Sequence, residues 1–338
     1  MTKNNKSVFF AVILLLVVSL MIFPFGCKKK EEASKPQAKA PFNIGFNEWV
    51  GFAPFFLAKE KGFFGDLQVE TQFIAVEGDK RAGLYSGNLQ MICETMDMLQ
   101  ANRDTLDYSG KVIFGIDESY GGDGVLASDK VKKLKDVKGK TVIGEPGSAS
   151  YFILLYLLNK DGLGMKDINF LSANSSDAAA AFIARKVEVA GTYEPYLSTA
   201  LKKRKGAHIL VSSKDLPGLI VDVAIVSEDV LSKRNEDVKK IYAGWTKALE
   251  YFEKNPDESI AIMAKAFKMT PEEFKDTISG IRYFGSKQNL EYFGSENSPG
   301  KIFEIFGEIG TILKANNLTK EVEPANKKID LSIIAAPK

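Results

Sequence analysis

The sequence predicts an α/β protein folded as two lobes. Three observations carry that prediction. From Phe42 onward, short apolar strands alternate with helical patterns. Ten strand segments, followed by a long helical tail after Ser227, exceed one compact sheet. Between the fourth and fifth strands lies Tyr120-Gly121-Gly122-Asp123-Gly124, whose glycines suit a flexible crossing from one body to another.

The chain has 338 residues, 45% hydrophobic and 26% charged, which is room for two domains of ordinary size. The formal net charge is +2. Lys3 and Lys6 are the only charges in residues 1–26, so removal of that segment leaves 2 − 2 = 0. A near-neutral chain is not an electrostatic nucleic-acid binder, and no nucleic-acid partner is expected.

Residues 1–26 read as a secretory signal: a lysine-bearing start, an apolar run over 8–22 broken only by Ser19, then Phe23-Pro24-Phe25-Gly26. With Cys27 next, the segment looks like a bacterial lipoprotein signal, and Cys27 is the expected site of lipid attachment to a membrane. Pro24 and Phe25 depart from the usual pattern, and an uncleaved anchor is the alternative. Residues 27–41 are polar, charged and aperiodic, as expected of a disordered tether. Cys93, in an apolar strand, then has no disulfide partner and reads as a buried thiol.

The expected strands are 43–46, 69–73, 90–93, 111–116, 125–127, 141–144, 169–171, 188–190, 208–211 and 219–226, with helices at 54–61, 79–86, 96–103, 148–159, 177–185 and 195–203. The tail reads as helices over 236–254, 256–267, 271–279 and 299–316. The alternation implies βαβ units and parallel pairing. A second crossing between lobes falls near 220–226.

Several strand ends carry side chains suited to a ligand crevice. The first strand runs into Glu48-Trp49-Val50-Gly51-Phe52, and Pro54 starts a helix that Gly62 ends. Trp49 and Phe52 fit either a cleft wall or the core. Thr95 and Asp97 follow the third strand, and Asp117, Glu118, Tyr120 and Asp123 follow the fourth. Ser148 and Ser150 open a helix where backbone N–H groups are free, and Tyr193 and Glu194 follow the 188–190 strand. Any one of these also fits plain helix capping.

The sequence contains no HExxH, CxxC, GxSxG or GxGxxG. Gly139-Lys140-Thr141 ends like a phosphate loop, but Leu134 stands where glycine is needed. The lone histidine, His208, opens an apolar strand. No metal site, cofactor or enzyme activity is expected.

An ordered set of segments resembles a known family. It comprises Trp49-Val50-Gly51-Phe52-Ala53-Pro54, Ala58-Lys59-Glu60-Lys61-Gly62-Phe63-Phe64, Asp123-Gly124-Val125, Leu134-Lys135-Asp136-Val137-Lys138-Gly139-Lys140-Thr141-Val142, Tyr193-Glu194-Pro195-Tyr196-Leu197, Pro217-Gly218-Leu219-Ile220 and Pro256-Asp257-Glu258-Ser259. Over about residues 42–316 the chain resembles the solute-binding proteins of ABC importers, in the group that includes nitrate, sulfonate, taurine and thiamine-pyrimidine binders. The resemblance implies a type II periplasmic-binding fold, with 42–123 plus 226–338 as one lobe and 124–225 as the other. It also implies a monomer that closes on a small-molecule solute and delivers it to a permease and its ATPase.

If the crevice positions carry over, the cleft is acidic and aromatic, with Glu48, Trp49, Phe52, Asp97, Asp117, Glu118, Tyr120, Asp123, Tyr193 and Glu194 on its walls. Basic residues near the strand ends are scarce, whereas anion binders want cations or free N–H groups. The expected ligand is therefore a small nitrogenous solute, cationic or rich in hydrogen-bond donors. A sulfonate, taurine or nitrate is the alternative, and a sensor or precursor-binding lipoprotein without a permease is another.

Overall fold

The computed structural model describes residues 40–101 and 110–335. The leader, the lipid-attachment residue Cys27, nearly all of the expected tether and the end of the 96–103 helix lie outside the described residues.

The chain begins with β1 (Phe42–Phe46), α1 (Pro54–Glu60), β2 (Val69–Phe73), α2 (Glu77–Tyr85), β3 (Met91–Thr95), α3 (Met96–Ala101) and β4 (Gly110–Ser119). It then crosses into β5 (Asp123–Ala127), β6 (Thr141–Gly144), α4 (Ala149–Lys160), β7 (Asn169–Ser172), α5 (Ser175–Ile183), β8 (Val189–Tyr193), α6 (Tyr196–Lys203) and β9 (His208–Ser212). It returns through β10 (Val221–Ser227), α7 (Glu228–Lys233), α8 (Asn235–Lys254), α9 (Pro256–Ala266), α10 (Pro271–Ile278), β11 (Ile281–Tyr283), α11 (Ser286–Phe293) and α12 (Lys301–Ala315).

Two sheets result. The first has the order β11-β4-β10-β3-β1-β2 and the second β7-β6-β8-β5-β9. β1 pairs in parallel with β2 and β3, but β10 runs antiparallel between β3 and β4. In the second sheet β6 is parallel to β7 and β8, while β5 is antiparallel to β8 and β9. The sheets are thus mixed, not parallel throughout. Each lobe is a βαβ set with one strand inserted from the crossing, and that strand enters in the opposite direction.

The second crossing lies earlier than expected. Residues 221–227 form a central strand of the first sheet, with Val221, Val223, Ala224 and Ile225 fully buried, so the second lobe ends before Val221 and not at 225. A seven-residue strand buried on both faces has no freedom to act as a linker. β11 and α11 also went unforeseen; the three residues of β11 are too short for a periodic signal.

The two crossings are tied together. Ser119 Oγ lies 2.9 Å from Ser213 Oγ. Gly121 N donates to Ser213 Oγ at 2.6 Å, and Asp123 N to Ser119 Oγ at 3.1 Å. Gly121 has φ +108°, a conformation that glycine adopts without strain. Cys93 is buried and unpaired, as expected, and burial pushes its thiol pKa well up.

Candidate functional site

The strand ends of the two lobes face each other across a cavity, called the chamber below. β3, β10 and β4 place Thr95, Asp222 and Asp117 in one cross-strand row, with Tyr283 of β11 next to Asp117. Paired residues on neighbouring strands share a face, so the row presents two carboxylates side by side. Trp49 lies over it, and its Nε1 donates to Asp117 Oδ2 at 3.2 Å. The second lobe supplies Tyr193 at the end of β8, paired in register with Asp123 at the start of β5. The Tyr193 ring meets the Trp49 ring edge to face, with centroids 6.1 Å apart and planes at 80°.

Trp49, Asn47, Thr95 and Met98 line the chamber from the first lobe, and Ser148, Ala149 and Tyr193 from the second. Five carboxylates complete it: Glu77, Glu94, Asp123, Glu145 and Asp222. Among the described lining residues there is no lysine, arginine or histidine. Two cations stand behind the wall. Lys80, fully buried, donates to Cys93 O at 2.8 Å and pairs with Glu77 at 2.5 Å. Arg81 Nε pairs with Glu94 Oε2 at 3.0 Å. Glu145 accepts from Ser175 Oγ at 3.0 Å.

Burial of so many acids opposes their ionisation. Desolvation, with Asp123 and Glu94 nearby, raises Asp97 to about 7. Desolvation and neighbouring Glu194 raise Asp123 to about 7. Desolvation outweighs the Trp49 hydrogen bond and brings Asp117 to about 8, and Asp222 beside it is also raised. Glu145 moves up for the same reason.

Of the residues expected at a ligand site, Trp49, Thr95, Asp123, Ser148 and Tyr193 come together in the chamber. The others stand elsewhere. Glu48 is exposed at the mouth, where Tyr196 Oη donates to its carboxylate across the lobes. Phe52 is fully buried against Phe46, with ring centroids 5.3 Å apart, and belongs to the core. Asp97 and Asp117 sit behind the lining. Tyr120 packs under Arg282, whose guanidinium carbon is 3.3 Å from the ring centroid. Ser150 bonds Ser148 at 3.1 Å beside Gly191. Glu194 turns back to cap α6, accepting from Ser198 N at 3.2 Å and Ser198 Oγ at 2.6 Å. Glu118 accepts from Gly218 N at 2.7 Å.

The sequence reading missed Glu77, Glu94, Glu145 and Asp222. Glu94 and Asp222 did carry a signal, since each is an acid inside an otherwise apolar strand.

Two α/β lobes, two tied crossings and an acid-lined cavity between strand ends define a two-lobed binding protein. The sequence comparison agrees with the architecture: the chain belongs to the NMT1/THI5-like family, whose model matches residues 49–259. It is 26% identical over 167 residues to a protein of Brucella abortus (strain 2308) named only for an inferred binding role. That match covers 48% of this chain, and the chain spans about half, 52%, of the relative's length. A Bacillus subtilis (strain 168) protein named for an inferred role in binding aliphatic sulfonates is 24% identical over 259 residues, 73% of this chain and 75% of that one. Among solved structures, the alkanesulfonate-binding protein SsuA from Xanthomonas axonopodis pv. citri, bound to MOPS, superposes with a TM-score of 0.70 at 17% identity. The superposition covers 87% of this chain and 99% of that one, which establishes the shared periplasmic-binding fold.

Proposed function

We propose that the protein is the solute-binding component of an ABC importer, working outside the cytoplasm. It captures a small nitrogenous solute, cationic or rich in hydrogen-bond donors, and presents it to a permease with its ATPase. The observation that carries the ligand class is the lining itself: five carboxylates from both lobes and the crossing, and no cationic side chain among the described lining residues. An ionised carboxylate accepts and cannot donate, so although Lys80 and Arg81 offset Glu77 and Glu94 from behind, the lining itself offers a sulfonate no cationic side chain. A cation removes the repulsion and takes the hydrogen bonds. Trp49, Thr95, Asp123, Ser148 and Tyr193 would hold it, together with Glu94, Glu145 and Asp222. The secretory leader and Cys27 support a lipid tether on the outer face of a membrane; loss of membrane association on Cys27→Ala would test that part.

The names of the relatives favour a second reading, a sulfonate in the same role. Native mass spectrometry of the purified protein with its copurified ligand separates the two. A mass matching an amine, amidine, guanidinium or aminopyrimidine is expected, and a retained alkanesulfonate would overturn the cation reading.

A further inference from the structure

The small net charge conceals a split between the lobes. Residues 124–220 carry 15 lysines and arginines against 9 acids, 15 − 9 = +6. Residues 40–123 and 221–338 carry 23 against 32, 23 − 32 = −9. The cations of the second lobe gather in the segments before β6, β7, β8 and β9. β6 and β8 end at the chamber, with Glu145 just after β6 and Tyr193 closing β8, so their starts lie at the opposite end of the sheet. Pairing in register sets Val189, Ala127 and His208 side by side at that end. The segments touch there: Gly139 N donates to Asp167 O at 2.7 Å, Ser128 N donates to Glu188 O at 2.9 Å, and Gly206 lies against the Asp129 side chain. Together 129–140, 161–168, 184–188 and 202–207 hold 13 lysines and arginines and 5 acids. Asp136 is bonded to the backbone, accepting from Lys132 N and Lys133 N at 3.0 and 3.1 Å. Lys130 and Arg204 share Glu188, and Lys138 lies 3.9 Å from Asp167. Lys132, Lys133, Lys135, Lys140, Lys166 and Lys186 are left exposed, with no ion pair among the described residues.

The residue type says what such a pole suits. A partner with phosphates or carboxylates in fixed positions is matched by the planar fork of arginine, whereas lysine is a point charge on a flexible stem. Of the 13 cations only Arg185 and Arg204 are arginines, and Arg204 is buried. Lysines spread over four segments suit a diffuse negative surface that imposes no geometry. A sheet of anionic lipid headgroups is such a surface, and it attracts lysines within about a Debye length. The extracytoplasmic, tethered reading above, on which this rests, sets the body beside a membrane. The expected tether over 27–41 reaches about 50 Å when fully extended, enough for the body to turn one end to the surface. We infer that the lysine pole of the second lobe rests on anionic lipid headgroups, with the acidic first lobe held off the membrane by like charge.

Lysine acylation read by mass spectrometry tests this, with the purified full-length protein on two kinds of vesicle: phosphatidylcholine alone, and equal parts phosphatidylcholine and phosphatidylglycerol. On the anionic vesicles at low salt, Lys132, Lys133, Lys135 and Lys140 should react at least about threefold more slowly than on the neutral ones, and high salt should restore the rate. Lys287, exposed on the first lobe, should react alike on both. Lys166→Glu with Lys186→Glu should cut the protection of the other four at least about twofold without moving the melting temperature, and undiminished protection would overturn the electrostatic cause. Equal reactivity on both vesicles would overturn the pole and leave the tether in place. Failure to sediment with either would overturn both. Sedimentation with the anionic vesicles alone would support the pole without the tether. Protection that appears only when membrane proteins are added would overturn the lipid in favour of an acidic protein partner.

Discussion

Asp97 is an acid whose removal should stabilise the protein. It is buried in the first turn of α3, where desolvation outweighs a hydrogen bond from Thr95. Burial raises its pKa from an ordinary 3.8 to about 7, so the folded state holds a proton that the unfolded state gives up. Stability from that proton is fully present below about pH 4 and is lost as pH rises toward 7. At ~1.4 kcal/mol per pH unit, (7 − 3.8) × 1.4 sets a ceiling of ~4 kcal/mol at pH 8. Asp97→Asn keeps the shape and cannot ionise. It should be about 1–3 kcal/mol more stable than the native protein at pH 8 and no more stable near pH 4. Urea unfolding at pH 4.5, 6 and 8 measures this directly, since the two stability curves should cross. A variant less stable at every pH, with the same slope between pH 4 and 7, would refute the argument that desolvation dominates at this site.

Other consequences follow from the same geometry. A Cβ at Gly122 would run into the Trp49 ring, at Cη2 and at Cζ3 2.9 Å away, so Gly122→Ala should cost about 1–3 kcal/mol as overpacking and shift the tryptophan emission; an unaltered melt and spectrum would contradict that contact. Tyr196→Phe removes the bond from Tyr196 to Glu48 across the mouth. Folding stability should stay within about 0.5 kcal/mol, while solute affinity falls a few-fold because only the closed form loses a contact; equal affinity would remove the bond from the closure step. Arg204 is buried in the second lobe, donating to Phe182 O at 2.8 Å and Val187 O at 2.6 Å and pairing with Glu188 at 2.7 Å. Arg204→Met should cost about 3 kcal/mol in thermal or urea unfolding, and a loss below about 1 kcal/mol would mean that water replaces those bonds.

Local pattern carried much of the fold. Apolar runs bounded by glycine and proline located ten strands, and Pro54, Pro256 and Pro271 marked helix starts. Strand direction was not legible, because β10 takes its place between β3 and β4 by pairing with residues about 100 or more positions away. The site divided along a similar line. Trp49, Thr95, Asp123, Ser148 and Tyr193 stand at strand ends, where geometry alone marks them. Phe52 gives the same local signal as Trp49, yet the short 3-10 turn over Val50–Phe52 places it against Phe46. Glu194 and Tyr120 have the right chemistry but are held by Ser198 and Arg282. Glu77 reads in sequence as an ordinary first-turn acid of α2, and its bonds to Lys80 and to Asn47 hold it at the wall.

The acidic chamber also bears on closure. Carboxylates gathered from two lobes and a crossing repel one another when the lobes meet, and little water remains between them to screen the charge. Without a ligand the closed form must hold protons on groups such as Asp123 and Asp222, whose pKa values burial has raised, or the lobes must part. On the function proposed above, a bound cation would supply the missing charge only in the closed form, where all the acceptors reach it. It therefore binds the closed state better than the open one, which is the requirement for a ligand to shift that equilibrium. On that reading, the charges proposed to select the ligand also make closure depend on it.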